Sequence, residues 1–180
     1  MLYIKRLDNP SRELLMGADK SLVSEHVLVT ISRLGFRLSY QPKPKAEWES
    51  FPPQEITEEE RLRSPCFCAM ADDQMVGVAR VTAGSYLWGR ITDLRVDPAF
   101  RRIGAGKALL DACEAWAVEQ GHVGLSVQTG DNNPIACQFL EHCGFTLGGM
   151  DRMAMSQLPG ERDKPIANRP CLLIFYRKAR

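Results

Sequence analysis

The sequence has few of the features that mark membrane, secreted or nucleic-acid-binding proteins. In 180 residues, no apolar run approaches the roughly 20 residues that a membrane-spanning helix needs. The first residues, Met1 to Arg6, lack the apolar core of a signal peptide. The formal net charge is only +1, so no long-range field favours nucleic acid or an anionic membrane surface. These absences predict a cytoplasmic protein with neither a membrane nor a nucleic acid as its partner.

Paired metal-ligand motifs are also missing, although six cysteines are present. None of them forms a Cys-x-x-Cys pair that is matched by a second Cys or His pair, as zinc sites require. They lie in apolar segments, at Cys66, Cys68, Cys113, Cys137, Cys143 and Cys171. We therefore expect buried free thiols in a reducing compartment, and no metal.

The composition is that of an ordinary globular domain. Hydrophobic residues make up 44% of the chain and charged residues 25%. A chain of 180 residues has the length of one domain with its own core. We expect a single domain over residues 1–180.

Hydrophobic periodicity predicts an α/β domain. The predicted strands are residues 2–6, 36–41, 66–71, 75–83, 88–96, 123–128, 145–150 and 172–177. The predicted helices are one or two short ones within residues 11–34, one that Thr57 would cap, and two longer ones at 107–120 and 133–142. Because a helix connects strands 88–96 and 123–128, we expect these two strands to be parallel within a mixed sheet.

The run from Val96 to Lys107 is the most informative stretch of the chain. An apolar strand leads into Arg101-Arg102-Ile103-Gly104-Ala105-Gly106-Lys107, and a helical pattern begins directly afterwards. Gly104 and Gly106 permit close approach of the backbone to a ligand and φ angles that other residues avoid. Amides at a helix start, with basic side chains around them, form a site for phosphate oxygens. A turn that needs glycine only for steric reasons is an equally good interpretation of this pair alone.

A second pattern follows the next strand. Asn133 opens a helix that has proline in its first turn, and Gly144 turns this helix into a further strand. The face expected to be buried holds Ala136, Phe139 and Leu140. By itself, this pattern indicates a packed amphipathic helix with Asn133 as its N-cap.

Taken in order, the two patterns resemble the GCN5-related N-acetyltransferase family. The matching elements are a strand, Arg101-x-x-Gly104-x-Gly106, a helix, a second strand, Asn133-x-x-Ala136-x-x-Phe139 and Gly144-Phe145. The resemblance covers about residues 66–150. The stretch from Gln128 to Asp151, with its double glycine Gly148-Gly149, is similar to streptothricin acetyltransferases, which are antibiotic-inactivating members of the family.

The resemblance implies an α/β fold with a mixed, mostly antiparallel central sheet, two splayed parallel strands and flanking helices. It implies acetyl-coenzyme A (acetyl-CoA) as the cosubstrate, and a small primary amine, such as a streptothricin-type antibiotic, as the acceptor. The cofactor-binding core is expected at about residues 66–150 and a variable acceptor-side segment at about residues 36–65. Dimers are common in the family, so a homodimer is a further expectation.

The resemblance also implies where the cofactor binds. The splayed strand would contact the pantetheine arm through its backbone, and the amides of the glycine turn would hold the pyrophosphate. Asn133 would hydrogen-bond the pantetheine arm, with or without serving as the N-cap. The implied cofactor-binding residues are Leu94, Arg95, Val96, Arg101, Arg102, Ile103, Gly104, Ala105, Gly106, Lys107, Gln128, Asn133, Ala136 and Phe139.

The implied reaction is direct attack of the amine on the thioester. An amine of pKa about 10.4 is almost wholly protonated at pH 7, so a group must remove its proton. The implied catalytic residues are Asp93 as the base, Val96 through its backbone N–H at the oxyanion, and Tyr176 as the acid.

The chain departs from the family pattern at two catalytic positions. Leu140 stands where a tyrosine acid is usual, so Tyr176, Cys143 or a water would have to serve, or the thiolate would leave unassisted. Thr92 stands where many members have glutamate, with Asp93 beside it. Strand alternation puts Thr92 and Asp93 on opposite faces, unless a bulge re-aims Asp93.

These departures leave two other functions open. Acetylation of a protein N-terminus or lysine needs an open groove, which the proline-rich and charged segment at 41–65 disfavours. A module that binds acetyl-CoA without catalysis is favoured by Leu140 and Thr92.

Overall fold

Strands form most of the ordered structure, and nearly all lie where the periodicity predicts them. The computed structural model describes residues 1–7, 24–47, 57–157, 163–165 and 169–180. The strands are β1 (Leu2–Leu7), β2 (Glu25–Ser32), β3 (Gly35–Pro42), β4 (Cys66–Ala71), β5 (Gln74–Ala83), β6 (Trp88–Val96), β7 (Gly124–Gly130), β8 (Thr146–Asp151) and β9 (Leu172–Lys178). The helices are α1 (Glu58–Arg63), α2 (Ala105–Glu119) and α3 (Pro134–His142). Each predicted strand, and each of the two longer helices, ends within two residues of its expected bounds.

The helix predicted within residues 11–34 is wrong over its second half, where β2 forms instead. Residues 8–23 lie outside the described part of the chain. In β2 the side chains of Val27 and Val29 are turned inward and those of Leu28 and Thr30 are exposed, which is the period of a strand. Residues with branched Cβ atoms favour this conformation. Pairing with β3 along its full length completes the hairpin, a contact that local periodicity did not reveal.

The chain divides into two compact units, residues 1–21, 51–126 and 178–180 in the first and residues 22–50 and 127–177 in the second. In the first unit the strands follow the order β1-β4-β5-β6, and each neighbouring pair is antiparallel. Asp72 and Asp73 connect β4 to β5 with left-handed φ angles of 46° and 65°, as a two-residue hairpin turn requires. The single domain over residues 1–180 stays a prediction.

The start of β7 lies beside the start of β6 in the first unit. The Ser126 hydroxyl donates a hydrogen bond to the Gly89 carbonyl at 3.4 Å, and the N–H of Val123, just before β7, donates to the Leu87 carbonyl at 2.8 Å. Because the early residues of both strands meet, the strands run parallel, as predicted. Among the described strands this is the one parallel pair of a mixed sheet that is otherwise antiparallel, so the expected fold class is confirmed.

Helix α2 packs its apolar face onto this sheet. The buried face of α2 consists of Ala105, Leu109, Leu110, Cys113 and Ala117. The approach is close, because a Cβ atom added to Gly89 of β6 would lie 2.8 Å from the Ala117 Cβ. This contact fixes the C-terminal end of α2 against β6.

In the second unit, β7 continues beside β9, and β9 pairs with β8 in antiparallel register. The N–H of Asp131, just after β7, donates to the Cys171 carbonyl at 2.9 Å. The β2–β3 hairpin and α3 belong to the same unit.

All six cysteines are free thiols and all are buried, as predicted. Burial raises the pKa of the Cys137 thiol to about 12. Such a thiol is protonated at neutral pH and is therefore a poor nucleophile.

Within the described ranges, no helix has both the length and the apolar character needed to cross a membrane.

Candidate active site

The turn between β6 and α2 presents a helix N-terminus without a side-chain cap among the described residues. Gly104 occupies the N-cap position with φ of +90°. Arg102 is also left-handed, with φ of +65°. Left-handed residues in a turn direct successive amides toward a common point, which is a geometry that binds anions. With the positive end of the α2 dipole, these amides form a site for phosphate oxygens.

One detail of the predicted turn is wrong. Gly106 does not take a left-handed φ, since α2 begins at Ala105 and Gly106 is its second residue. The two left-handed positions are Gly104 and Arg102. Helix formation starts earlier than the sequence indicated because Arg102 and Gly104 complete the reversal before Ala105.

The basic side chains at the turn differ in how much of their positive charge a neighbouring acidic side chain offsets. Lys107 forms an ion pair with Asp111 one turn later in α2, at 2.5 Å between Nζ and Oδ2. Arg102 and Ile103 are exposed. Part of the positive charge of Lys107 is thus offset by its neighbour, and Arg102 contributes more to the field at the turn.

The left-handed backbone of Arg102 predicts a difference between two substitutions. Arg102→Gly and Arg102→Ala both remove the guanidinium, so they change the charge at the turn alike. Only Arg102→Gly removes the steric cost of the left-handed backbone, so thermal or urea unfolding should show it more stable than Arg102→Ala by about 1 kcal/mol. Equal stabilities of the two variants would contradict the strain assigned to this position.

A β-bulge in β6 changes which side chains share a face of the sheet. Val81 of β5 pairs with Ile91, and Arg80 pairs with Asp93, so Thr92 is the extra residue. Past the bulge, Asp93 and Arg95 lie on one face while Leu94 and Val96 lie on the other. The bulge thus re-aims Asp93, which simple alternation would not do.

Asp93 and Arg95 form a bidentate ion pair. Arg95 Nε donates to Asp93 Oδ1 at 2.8 Å, and Arg95 Nη2 donates to Asp93 Oδ2 at 2.5 Å. The Asp93 side chain is only 10% exposed. Burial raises the pKa of Asp93 above its ordinary value, although Arg95 and the buried Arg80 act in the opposite direction. A carboxylate with a raised pKa is better suited to accept a proton than an exposed one.

Gly77 is a further candidate site residue, which the sequence motifs did not single out. It pairs with Val96 across β5 and β6, and a Cβ at this position would lie 2.9 Å from the Arg95 carbonyl oxygen. The same atom would lie 3.2 Å from Leu109 of α2. Gly77 therefore sets the position of the β6 backbone at its C-terminal end. The signal was a glycine inside a strand pattern, which often marks close approach of another backbone.

In the second unit, Asn133 caps α3 as the sequence suggested. Its Oδ1 accepts a hydrogen bond from the Ala136 N–H at 3.2 Å. The residues of α3 that are buried are Pro134, Cys137 and Leu140, whereas Ala136 and Phe139 are half-buried. The predicted buried face is thus confirmed at Leu140, whereas Ala136 and Phe139 keep part of their surface exposed. Gln128 of β7 is exposed.

Leu140 is a core residue and cannot exchange a proton. It is 1% exposed, and its carbonyl accepts the Phe145 N–H at 2.9 Å. Cys143 is buried at the C-terminus of α3. Tyr176 of β9 is half-buried and lies against Gly148 of β8. Of the two side chains considered in place of the missing tyrosine, Tyr176 is the more accessible.

Two polar contacts between the β2–β3 hairpin and α3 could not be read from the sequence. The Tyr40 hydroxyl donates to Glu141 Oε2 at 2.6 Å, and Gln138 Nε2 donates to Glu25 Oε2 at 2.9 Å. Burial, and then the hydrogen bond to Glu141, raise the pKa of Tyr40 above its ordinary range. The hairpin is thereby fixed to the helix that follows Asn133.

Asp131 joins three segments at the end of β7. Its Oδ1 accepts the Cys171 N–H at 2.9 Å, and its carbonyl accepts the Val27 N–H at 3.2 Å. Burial raises the pKa of Asp131, and the hydrogen bond from Cys171 works against that rise. The carboxylate thus orders the segment that leads into Asn133.

Two substitutions at Asp131 should have different effects on stability. Asp131→Ala leaves the Cys171 N–H without its acceptor and should cost about 1–3 kcal/mol of unfolding free energy. Asp131→Asn keeps an oxygen acceptor and removes a buried charge, so we expect it to be the more stable variant at pH 7.

The pKa of Asp131 is higher in the folded than in the unfolded protein, so the native state binds more protons than the unfolded state between the two pKa values. The contribution of Asp131 to stability therefore falls as pH rises through that interval. Urea unfolding of both variants between pH 4 and 7 checks this, and equal losses would contradict it.

Comparison with known proteins identifies the family. The family model described as acetyltransferase (GNAT) family matches residues 30–145. The chain belongs to the GNAT family. It is an N-acetyltransferase, and the family expectation drawn from the glycine turn and the Asn133 helix is confirmed.

Two relatives of this GNAT acetyltransferase are named as streptothricin acetyltransferases. Streptothricin acetyltransferase of Escherichia coli is 26% identical over 147 residues, which cover 82% of this chain and 82% of that protein. Streptothricin acetyltransferase A of Bacillus subtilis (strain 168) is 29% identical over 122 residues, covering 56% of this chain and 70% of that protein. The similarity to streptothricin acetyltransferases is thus confirmed at modest identity.

A solved structure has the same fold. A Bacillus anthracis str. Ames protein, assigned as a streptothricin acetyltransferase and solved in complex with acetyl coenzyme A, matches with a TM-score of 0.83. It is 22% identical, and the match covers 99% of each chain. At this identity the likeness establishes the GNAT fold alone.

Proposed function

We propose that this acetyltransferase transfers an acetyl group from acetyl-CoA to a primary amine of a small molecule of the streptothricin type. The observation that carries the proposal is the turn before α2, where left-handed Arg102 and Gly104 precede an uncapped helix N-terminus. Such a turn suits the pyrophosphate of coenzyme A. The names of the relatives supply the acceptor class.

The proposal assigns cofactor contacts to the residues that the resemblance implied. The backbone of Leu94, Arg95 and Val96 would bind the pantetheine arm, and the turn from Arg101 to Lys107 would bind the phosphates. Asn133 keeps its amide N–H₂ as a donor while its oxygen caps α3. Gln128, Ala136 and Phe139 complete the set, and their partly or fully exposed surfaces are consistent with contact to a ligand.

The proposed chemistry needs three groups. Asp93, directly or through a water, would take a proton from the attacking ammonium, and its raised pKa favours this role. The Val96 N–H would donate to the thioester oxygen as negative charge develops there. Tyr176 would donate a proton to the departing sulfur. Six buried free thiols are typical of proteins in a reducing compartment, which supports the cytoplasm as the proposed place of action. A homodimer stays a prediction.

Release of the coenzyme A thiol tests the proposal. The protein is incubated with acetyl-CoA and either streptothricin, a polyamine or an aminoglycoside, and initial rates are compared. We expect kcat/KM for streptothricin to exceed that for the other amines by about a hundredfold, as a hydrogen-bonding site permits. Preference for a peptide amine would indicate a protein acetyltransferase instead. Tight acetyl-CoA binding by calorimetry without turnover of any amine would indicate a cofactor-binding module without catalysis.

A further inference from the structure

Gly148 occupies an irregular position in the β8–β9 pairing. Leu147 pairs with Phe175, and Gly149 pairs with Ile174, so Gly148 is the extra residue of a bulge in β8. The two neighbouring glycines therefore differ in their pairing. Gly149 has a partner in the β8–β9 ladder, and Gly148 has none.

The ring of Tyr176 fills the space that a side chain at residue 148 would need. A Cβ atom added to Gly148 would lie 2.5 Å from Tyr176 Cδ2 and 2.8 Å from Cε2. A Cβ added to Gly149 would lie 3.6 Å from its nearest neighbour, Ile174 Cδ1, which is ordinary van der Waals contact. Only the first glycine is required by its surroundings.

Contacts of the Arg177 side chain hold β9 in place next to Tyr176 and oppose a movement of the strand there. Arg177 is buried, and its Nη1 donates to the Cys143 carbonyl at 3.1 Å. The same guanidinium carbon lies 4.9 Å from the centroid of the Phe145 ring. A side chain at residue 148 would therefore act on the orientation of the Tyr176 ring.

We propose that Gly148 is a positioning residue for catalysis, because its missing side chain lets the Tyr176 ring lie directly over β8 and so sets where the Tyr176 hydroxyl delivers its proton. The inference rests on the acetyl transfer proposed above. Leu140 is buried and carries no proton, so it cannot serve as the general acid. Tyr176 is the half-buried phenol whose placement the bulge controls.

The proton balance of the step is complete without another reagent. The amine nitrogen forms a bond to the acetyl carbon, and the carbon–sulfur bond of the thioester breaks. The Tyr176 Oη–H gives its proton to the sulfur as this bond breaks, which releases coenzyme A as a thiol. The first proton, which Asp93 takes from the ammonium, passes to solvent. The second proton, which the nitrogen loses once it is bonded to the acetyl carbon, returns to the phenolate through water.

Purely structural packing of an aromatic ring over a strand glycine is the competing explanation, and kinetics separates the two. A misplacement of about 1 Å costs up to about 10²-fold in rate, so Gly148→Ala should lower kcat by about ten- to a hundredfold. The KM for acetyl-CoA should change less than about threefold, because binding in the ground state is untouched. Gly149→Ala, the matched control, should keep kcat within about twofold.

The double variant carries the decisive comparison. Tyr176→Phe should lower kcat by about a hundredfold, the usual contribution of a general acid. Adding Gly148→Ala to Tyr176→Phe should lower kcat by less than a further factor of about two, because no hydroxyl remains to be misplaced. Equal kcat for Gly148→Ala and wild type would overturn the proposal, and so would two losses that multiply in full.

Two further measurements apply if Gly148→Ala does not fold or if the wild-type protein shows no activity. If Gly148→Ala does not fold, Gly148→Ala/Tyr176→Ala should restore folded protein by relieving the collision, and failure to restore it overturns the contact. If wild type acetylates none of the amines, the proposed substrate fails separately. In that case the fluorine resonance of fluorotyrosine-labelled Tyr176, assigned by its loss in Tyr176→Phe, should shift in Gly148→Ala and not in Gly149→Ala. An unchanged resonance in Gly148→Ala would overturn the positioning role.

Discussion

Arg95→Met is expected to lower the free energy of unfolding by about 3–5 kcal/mol, the usual cost of breaking a buried ion pair from one side. Methionine retains the apolar stem of arginine but removes both donors to Asp93. The carboxylate of Asp93, at 10% exposure, is then left without the bidentate partner that satisfied both of its oxygens. Arg80, whose charge also acts on Asp93, remains nearby and should keep the loss toward the lower end of that range.

The double variant Asp93→Asn/Arg95→Met provides the control for this prediction. It removes both charges, so most of the lost stability should return. Urea unfolding measures both effects. A loss below about 1 kcal/mol in Arg95→Met would mean that the pair behaves like an exposed one, contrary to its burial. An equal loss in the double variant would assign the effect to packing.

The pH dependence of Arg95→Met follows from the same pair. Arg95 lowers the pKa of Asp93 against the rise caused by burial, so its removal raises the folded pKa further. A folded pKa above the unfolded value of about 3.9 means that the native state binds more protons in that interval, and stability falls as pH rises through it. The variant should therefore lie closer to wild type at pH 4 than at pH 7. A constant difference across this range would contradict the assignment to the Asp93 charge.

Gly77→Ala is expected to disturb acetyl-CoA binding more than any other single methyl group added to β5 or β6. The new Cβ would lie 2.9 Å from the Arg95 carbonyl, which is backbone and cannot rotate away. Overpacking of this kind costs about 1–3 kcal/mol of stability. Because the collision falls on the segment proposed to bind the pantetheine arm, the KM for acetyl-CoA should rise by about tenfold, equivalent to about 1.4 kcal/mol.

Gly89→Ala separates the two effects of Gly77→Ala. A Cβ at Gly89 would lie 2.8 Å from the Ala117 Cβ, so it meets a comparable collision at the other end of β6. It should lose similar stability in urea unfolding while its KM for acetyl-CoA stays near that of wild type. Parallel changes of KM in both variants would show that any strain in the sheet weakens binding, and that Gly77 has no particular place at the site.

The sequence was sufficient where short-range patterns determine structure. The glycine turn, the Asn133 cap and the hairpin at Asp72-Asp73 each depend on a few consecutive residues. Local steric preferences and capping chemistry decide such features, so they can be predicted without knowledge of the fold. The strands β4 to β9 were found for the same reason, since their apolar residues are contiguous or alternate clearly.

Features that depend on pairing between distant segments could not be predicted in this way. Strand β2 forms because β3 is available as its partner, and residues 25–32 alone fit a helix as well. The Asp93–Arg95 pair requires the bulge at Thr92, which only the register with β5 reveals. Contacts such as Tyr40 with Glu141 join residues about a hundred positions apart, and the sequence carries no local trace of them.

Shielding of every sulfhydryl in the folded chain makes a thiol-reactive dye selective for the coenzyme that turnover releases. A native sample should titrate close to zero, because all six cysteines are covered by the surrounding side chains and backbone. A denatured sample should titrate six per chain. The same reagent can thus count product molecules during catalysis and unfolded molecules during denaturation, without a label or an engineered reporter.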